Sequence, residues 1–582
     1  MLDVAIQTKI NQWLSGNYDA ETKATIQRLI DQQSLTELTD SFYKDLEFGT
    51  GGLRGLIGTG SNRINQYTIG AATQGLANYL NEVFVGEKIS VAIAHDCRIK
   101  SDEFARVTAN VFSSNGIEVY LFKALRPTPE LSFAVRLLGC KSGVVITASH
   151  NPKEYNGYKA YWDDGSQVVA PHDKNIIGEV NAIQSIDDIK FEGDASKIHL
   201  IGEEVDQKYI NQILSLSISK EAIARQKDLK IVFTPIHGTG VTLVPTLLSR
   251  MGFENVTVIE AQAEPNGNGQ FPTVVYPNPE ESEAMSMAVT KAKEIEADLV
   301  MGTDPDADRV GIAVKNHHGE IQLLNGNQTA TLLIYYLLQA WKEAGKLTGK
   351  EFVCKTIVTT DLIDKMAADY GVHCYNTLTG FKYIAQVIRE LEGQQQFIGG
   401  GEESYGYLIG DAVRDKDAIA SCGMIAELTA YAKDKGLSLF DMLMSIYKQF
   451  GFYCEGLISL TKKGKTGADE IQQMMADFRA NPPASLAGSP VVRIDDYKFL
   501  KRTENGVTVD IPSGSMGIES SNVLQFFTAD GTKFTCRPSG TEPKIKFYVG
   551  VVSKLERNEG FDEVYESLKQ KVKSIGEELA LK

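Results

Sequence analysis

No apolar run in the chain approaches the roughly 18 residues that a bilayer-spanning helix needs. The strongest, residues 332–338, stops at a glutamine and reads as a buried helix. Cysteine is sparse. Its seven copies, at 97, 140, 354, 374, 422, 454 and 536, are scattered without a CxxC pair, which argues against a zinc ribbon or a disulfide framework and for small, reduced core residues. An excess of positive charge is also missing: 59 lysines and arginines face 75 aspartates and glutamates, a net of −16. There is thus no general electrostatic reason to bind nucleic acid or an anionic membrane, and any phosphate ligand must be met by local cations. Low-complexity tracts and long charge blocks are absent, so modules joined by short, packed connections are expected. The opening residues, MLDVAIQTKINQW, carry an acid at the third position and no basic stretch before an apolar one. No secretory leader is expected, and the reading is a cytoplasmic protein.

What is present is an ordinary globular composition, 43% hydrophobic and 23% charged, spread over 582 residues. At roughly 150 residues per domain this amounts to about four modules. Beyond residue 49, β-rich runs alternate with helical patterns: strands at 89–94, 118–122 and 143–147 enclose helices near 103–114 and 130–138. The cadence returns at 230–233, 241–251 and 256–260, continues into strands at 299–302 and 311–314, and recurs at 352–358, 362–370 and 373–376. Strand, helix, strand at this spacing predicts α/β domains with mainly parallel or mixed sheets. From about residue 452 the pattern changes to a helix near 469–479, a proline-containing loop and short alternating strands such as 507–511 and 546–551, an α+β module with a more antiparallel sheet. The expected fold class is therefore three consecutive α/β domains and a C-terminal α+β domain. The expected boundaries are 1–205 (with an N-terminal helical extension), 206–322, 323–451 and 452–582.

Four loops carry chemistry. DPDADR at 304–309 places Asp304, Asp306 and Asp308 at alternate positions directly after an apolar run, where three like charges repel unless a hard divalent cation sits among them. An EF-hand beginning at Asp304 would require Gly at its sixth position and Glu at its twelfth; Arg309 and Lys315 stand there instead. TASHNP at 147–152 follows a predicted strand, at the sheet end where α/β proteins bind ligands, and makes Ser149 a candidate nucleophile. Thr147 and Asn151 occupy the places where a lipase-type elbow has glycine, which disfavours acyl transfer. By itself Ser149 reads as a turn residue and His150 as a structural histidine; the loop gains meaning only beside the others.

GEESYG at 401–406 combines glycine with Glu402, Glu403 and Ser404, a set suited to the hydroxyl groups of a sugar. RPSGTEPK at 537–544 offers Arg537, Ser539, Gly540 and Thr541 as an anion cradle best matched to phosphate. Two more stretches belong with these. FGTGGLRG at 48–55 is glycine-rich around Arg54 but lacks the dinucleotide-binding spacing, and Thr379-Gly380-Phe381-Lys382 places a lysine just after a glycine turn.

These motifs, in this order over residues 40–550, resemble the α-D-phosphohexomutase superfamily, and GEES followed by an aromatic looks like its phosphoglucomutase form. The resemblance implies four parts around a central cleft and an intramolecular phosphotransfer between glucose 1-phosphate and glucose 6-phosphate. It implies that Ser149 carries a phosphoryl group and that one magnesium ion is held by Asp304, Asp306, Asp308 and an oxygen of that phosphoserine. Glucose 1,6-bisphosphate would be intermediate and activator. Glu402 and Ser404 would grip sugar hydroxyls while Arg537, Ser539, Gly540 and Thr541 hold the non-reacting phosphate. Arg54, Lys159 and Arg309 would complete the electrostatics, and Lys382 or His150 would handle the hydroxyl proton, Lys382 being favoured. Thr379 and Gly380 would help bind substrate. Two departures stand out, Pro305 where glycine is common and Arg414-Asp-Lys416-Asp417-Ala418 where Asp-Gly is frequent.

The same mechanism on pentose or mannose phosphates, or net synthesis of glucose 1,6-bisphosphate, is the nearest alternative. A phosphatase and a non-catalytic phosphosugar sensor are rivals of other classes. The expected partner is a small phosphosugar, with neither nucleic acid nor membrane, and the chain is compatible with a monomer or a dimer.

Overall fold

The computed structural model describes residues 2–49, 51–264, 269–462, 464–539 and 543–581. It divides into two units, Met1–Ala313 with Gly406–Ala430, and Val314–Tyr405 with Tyr431–Lys582. None of its described helices is long and apolar enough to cross a membrane.

The first unit holds a six-stranded sheet in the order Gly52–Leu56, Tyr155–Trp162, Ser142–Ile146, Ser90–His95, Glu118–Phe122, Ile198–Ile201. The last four strands pair parallel. Ser142–Ile146 is buried along its whole length and Ser90–His95 over all but its last residue, as a parallel sheet covered on both faces requires. Helices Gln66–Val83, Ser101–Ser114 and Thr128–Leu138 supply apolar side chains to that cover. Tyr155–Trp162 turns back antiparallel to Ser142–Ile146, so the intervening loop, which carries Ser149, projects from the C-terminal edge of the parallel strands. Three N-terminal helices, Val4–Ser15, Ala20–Asp31 and Leu35–Phe42, form a satellite core around Ile10, Trp13, Ile26 and Phe42.

The glycine-rich run 48–55, given no secondary structure from the sequence, contributes an edge strand, Gly52–Leu56, antiparallel to Tyr155–Trp162 with Arg54 opposite Gly157. A β-carbon on Gly52 would lie 1.7 Å from the Tyr158 carbonyl oxygen, so the glycine serves close backbone approach to a partner about a hundred residues away.

A second sheet in this unit pairs Val256–Val258, Ile231–Thr234 and Leu299–Thr303 parallel. Val310–Lys315 then returns antiparallel to Leu299–Thr303 with Val310 facing Thr303, which makes 304–309 the turn of a hairpin.

In the second unit, Glu351–Thr356 pairs parallel with His373–Thr377 on one side and Gln396–Gly401 on the other. Helix Gly326–Glu343, opened by an Asn325–Gln328 capping box, is buried along most of its length and contains the apolar run 332–338. The C-terminal sheet is antiparallel throughout, in the order Phe452–Thr461, Lys544–Ser553, Lys533–Pro538, Leu524–Thr528, Ser489–Asp496, Lys501–Glu504, Val507–Asp510. Three α/β sheets followed by an antiparallel one reproduce the expected change of pattern near residue 452.

Candidate functional site

Ser149 lies at the apex of the loop that leaves Ser142–Ile146, 3% exposed, with φ at +51°. A non-glycine residue reaches that left-handed region only where its surroundings over-determine it. Here they do. The Ser149 N–H donates to Thr147 Oγ1 at 2.8 Å, and Thr147 Oγ1 donates in turn to Asp96 Oδ2 at 2.7 Å. Asp96 also accepts from Ser101 Oγ at 2.7 Å and from the Arg98 N–H at 2.8 Å. The Arg98 guanidinium donates to the carbonyl oxygens of Ser149 at 2.5 Å, Pro152 at 2.8 Å and Tyr155 at 3.0 Å, and to that of Asn151. Arg98 and Asp96 form an ion pair with both side chains fully buried. Burial pushes the Asp96 carboxyl above its ordinary range, against the pull of Arg98.

From this loop Ser149 Oγ donates to Asp304 Oδ2 at 2.9 Å. Asp304, Asp306 and Asp308 are all buried, each offering an oxygen within 4.8 Å of the others. The hairpin turn holds itself: the N–H groups of Asp308 and Arg309 donate to Asp304 Oδ1 at 3.1 and 3.0 Å. Asp306 Oδ2 accepts from Thr128 Oγ1 at 2.8 Å and Lys159 Nζ at 2.6 Å, while Asp308 Oδ2 is 3.1 Å from Lys159 Nζ and 3.0 Å from Lys416 Nζ. Burial, then the charges of Asp306 and Asp308, push Asp304 well above the usual carboxylate range. Burial would raise Asp308 too, but Lys159, Lys416 and Arg309 outweigh it and hold that carboxyl well below the range. Asp306 Oδ1 and Asp308 Oδ1 are buried with no hydrogen-bond partner among the described residues. Oxygen-only donors converging with two orphaned carboxylate oxygens fit a hard divalent cation.

The first unit gathers further predicted residues here. His150 Nδ1 lies 3.2 Å from Ser149 Oγ. Burial first, then Arg309 and Arg54, push its pKa well below 6.5, leaving the imidazole neutral near pH 7. Exposed Arg54 donates to Asn151 Oδ1 at 3.4 Å. Lys159 bridges two of the aspartates, and Arg309 Nη1 pairs with Glu280 Oε1 at 3.1 Å.

In the second unit, the Gly380 N–H donates to buried Glu402 Oε1 at 2.9 Å, joining the 379–382 turn to the sugar-type loop. Gly380 has φ at +124°, which a side chain would strain, and Thr379 Oγ1 is buried with no hydrogen-bond partner among the described residues. Lys382 opens helix Phe381–Glu390 with its ammonium 4.9 Å from the Tyr383 ring centroid. The 402–405 loop sits against the start of helix Gly326–Glu343: a β-carbon on Gly326 would meet the Glu403 carbonyl oxygen at 1.8 Å. Glu403 is tied down by Thr356 and Thr359, both at 3.2 Å, whereas Ser404 is only half-buried. The Tyr548 phenol hydrogen-bonds to Arg537 and feels the charges of Glu403 and Glu402, so Arg537 shares a neighbourhood with this loop. Burial raises the Tyr548 pKa. The Ser539 N–H donates to the Lys544 carbonyl at 2.7 Å; Gly540 and Thr541 lie outside the described residues.

Sequence reading missed Asp96, Arg98, Thr128 and Lys416. Two signals were available. Asp96-Cys-Arg98 follows a parallel strand at the same sheet edge as TASHNP, and Lys416 lies inside the stretch 414–418 noted as departing from the family pattern.

The chain is similar to known proteins over most of its length. Residues 45–187, 207–319 and 325–450 match the family profiles described as phosphoglucomutase/phosphomannomutase, alpha/beta/alpha domains I, II and III. The phosphoglucomutase of Staphylococcus haemolyticus is 37% identical over 525 residues, 90% of this chain and 93% of that protein. That of Staphylococcus aureus strain MRSA252 is 38% identical over 531 residues, with the same two shares. The crystal structure of parafusin, the exocytosis-sensitive phosphoprotein of Paramecium, in its open form shares the fold, with a TM-score of 0.66 at 17% identity over 92% of this chain and 96% of that one. With a buried serine hydroxyl bonded to a tri-aspartate turn and relatives alike over nearly their whole length, the chain belongs to the phosphoglucomutase/phosphomannomutase family.

Proposed function

We propose that this enzyme interconverts glucose 1-phosphate and glucose 6-phosphate through a phosphorylated Ser149 and a glucose 1,6-bisphosphate intermediate. The observation that carries the proposal is the 2.9 Å hydrogen bond from Ser149 Oγ to Asp304 Oδ2, which sets a buried hydroxyl of the loop at an electrostatically loaded turn. In the first half-reaction the bond from phosphorus to Ser149 Oγ breaks as the bond to a sugar hydroxyl oxygen forms. The serine oxygen takes up one proton and the sugar hydroxyl gives one up, so the step is proton-neutral. The second half-reaction returns the other phosphoryl group of the bisphosphate to Ser149.

Phosphoryl transfer needs alignment and charge neutralisation more than covalent assistance. Asp304, Asp306 and Asp308 are the residues to hold one magnesium ion, which when bound would neutralise charge on the phosphoryl oxygens. Arg98 fixes the loop carbonyls and so the direction of Ser149 Oγ. Neutral His150 is within reach of that oxygen, and Lys382 is assigned to the sugar hydroxyl. Glu402 and Ser404 are assigned to the sugar hydroxyls, with Thr379 and Gly380 beside them. Arg537, Ser539, Gly540 and Thr541 are assigned to the phosphate that is not reacting. Arg54, Lys159 and Arg309 supply positive charge for the reacting one. The tasks follow the modules 1–205, 206–322, 323–451 and 452–582.

A panel of 1-phosphosugars, assayed with a catalytic amount of glucose 1,6-bisphosphate, tests this reading. Glucose 1-phosphate is expected to give the highest kcat/KM. A preference for mannose or pentose phosphates would move the substrate but keep the mechanism, and steady release of inorganic phosphate would make the chain a phosphatase.

A further inference from the structure

The second unit contains a different convergence of ligand atoms. Two successive histidines, His317 and His318, stand in a turn closed by Asn316, whose side-chain oxygen accepts the N–H groups of His318 at 2.9 Å and Glu320 at 3.0 Å. Opposite them is Asp562, in the first turn of helix Phe561–Glu578. His317 Nε2 is 3.1 Å and His318 Nε2 3.0 Å from the same oxygen, Asp562 Oδ2.

The arrangement is preorganised. The His317 ring stacks on Phe440 at 5.3 Å and meets the edge of Phe561 at 5.2 Å, and the two imidazoles are 3.9 Å apart. With no ion, both Nε2 atoms must carry protons and compete for one carboxylate oxygen. With a metal at their centre, the same three atoms become ligands. Metal–nitrogen and metal–oxygen bonds of about 2.0–2.2 Å in tetrahedral or octahedral geometry separate neighbouring ligand atoms by roughly 2.8–3.6 Å. Both histidine–aspartate distances fall in that window, and all three atoms lie within 4.8 Å of one another. The donor set differs in kind from that of the aspartate turn. Imidazole suits zinc, cobalt and nickel, whereas carboxylates alone suit magnesium.

We propose that His317, His318 and Asp562 form a binding site for one divalent transition-metal ion of the zinc, cobalt or nickel class. The ion pins the 316–319 turn to the first turn of the terminal helix. The side chains of His318 and Asp562, 56% and 59% exposed, leave the remaining coordination positions to water. Because the ligands are 245 positions apart in the chain, binding should stabilise the folded second unit by mass action.

The test uses the full-length protein, stripped of metal by chelator and then kept in excess magnesium. Zinc is titrated calorimetrically, with stoichiometry measured by elemental analysis. His318→Gln and Asp562→Asn each remove one ligand from the surface without disturbing the Phe440–His317–Phe561 packing. The wild type is expected to bind one zinc ion that each variant binds at least about 10-fold more weakly. Zinc should raise the melting temperature of the wild type but not of the variants, and both variants should retain magnesium-supported turnover in the absence of zinc. A cobalt-loaded wild type should show visible d–d absorption that Asp562→Asn alters. Equal zinc affinity and stoichiometry in the wild type and both variants, or no zinc bound by the wild type in excess magnesium, would overturn the proposal. Should one variant fail to fold, the other and the cobalt spectrum still decide it.

Discussion

Ser149 Oγ donates to Asp304 Oδ2 at 2.9 Å across a separation of 155 residues. Two hairpin-like turns, one after a parallel strand and one between antiparallel strands, deliver a hydroxyl and a carboxylate to the same buried point.

Replacing Ser149 with Ala should abolish turnover while leaving the affinity for glucose 1-phosphate within a few-fold. Intact-mass spectrometry of the wild type after incubation with glucose 1,6-bisphosphate should show one labile phosphoryl group, and the variant none. Near-normal turnover by the variant would end the covalent route.

Asp306→Asn removes one charged ligand from a site whose affinity for a hard cation depends on carboxylate count. The variant should need more magnesium to reach half-maximal rate, and chelator should inactivate the wild type reversibly. Full activity in excess chelator would assign the aspartate turn a purely structural role.

Arg98→Met should destabilise the protein by about 3–5 kcal/mol, because it leaves Asp96 buried without its counter-charge and strips four loop carbonyls of their donor. Urea unfolding followed by circular dichroism measures the loss. A change below about 1 kcal/mol, within the range of ordinary surface substitutions, would show that the loop is held by its own turn bonds.

Arg537→Ala loses a charge-assisted contact worth about 1.5–3 kcal/mol, so binding of either monophosphate should weaken roughly 10-fold to 150-fold. Dissociation constants measured separately for glucose 1-phosphate and glucose 6-phosphate check this. An effect on one and not the other would show that the residue serves a single orientation.

Asp417 caps helix Ala418–Asp434 through a 2.8 Å bond from the Ala420 N–H, and burial raises its pKa to about 6. In an unfolded chain an aspartate titrates near about 3.9, so the folded state holds this proton more tightly. Its contribution to stability is therefore full below about pH 4 and declines as pH rises through about 6. Asp417→Asn, which keeps a capping oxygen without the charge, should gain on the wild type over that interval by on the order of 3 kcal/mol. Paired denaturant melts at pH 4.5 and pH 7.5 measure the difference; a variant offset independent of pH would show that Asp417 is ionised in the folded protein even at the lower pH.

What the sequence determined by itself is whatever its neighbours in the chain suffice to define. DPDADR could be read as a metal-binding turn because its three carboxylates are two residues apart and their repulsion is local. The alternation of strands and helices was legible for the same reason, since burial on both faces of a parallel sheet leaves continuous apolar runs such as 91–94. The tertiary structure decided the rest. Nothing near Gly52 in the chain announces that it must pack against Tyr158, so neither this strand nor its partner was legible. Arg98 reads as any arginine until the fold sets its guanidinium under the carbonyls of Ser149, Asn151, Pro152 and Tyr155. Lys159 and Lys416 come from different segments of the first unit and acquire their role only when both meet Asp308, at 3.1 and 3.0 Å. The division has a physical cause: spacing along the backbone determines which groups share a turn, whereas the neutralisation of a buried charge depends on distance in space, which only the folded chain sets.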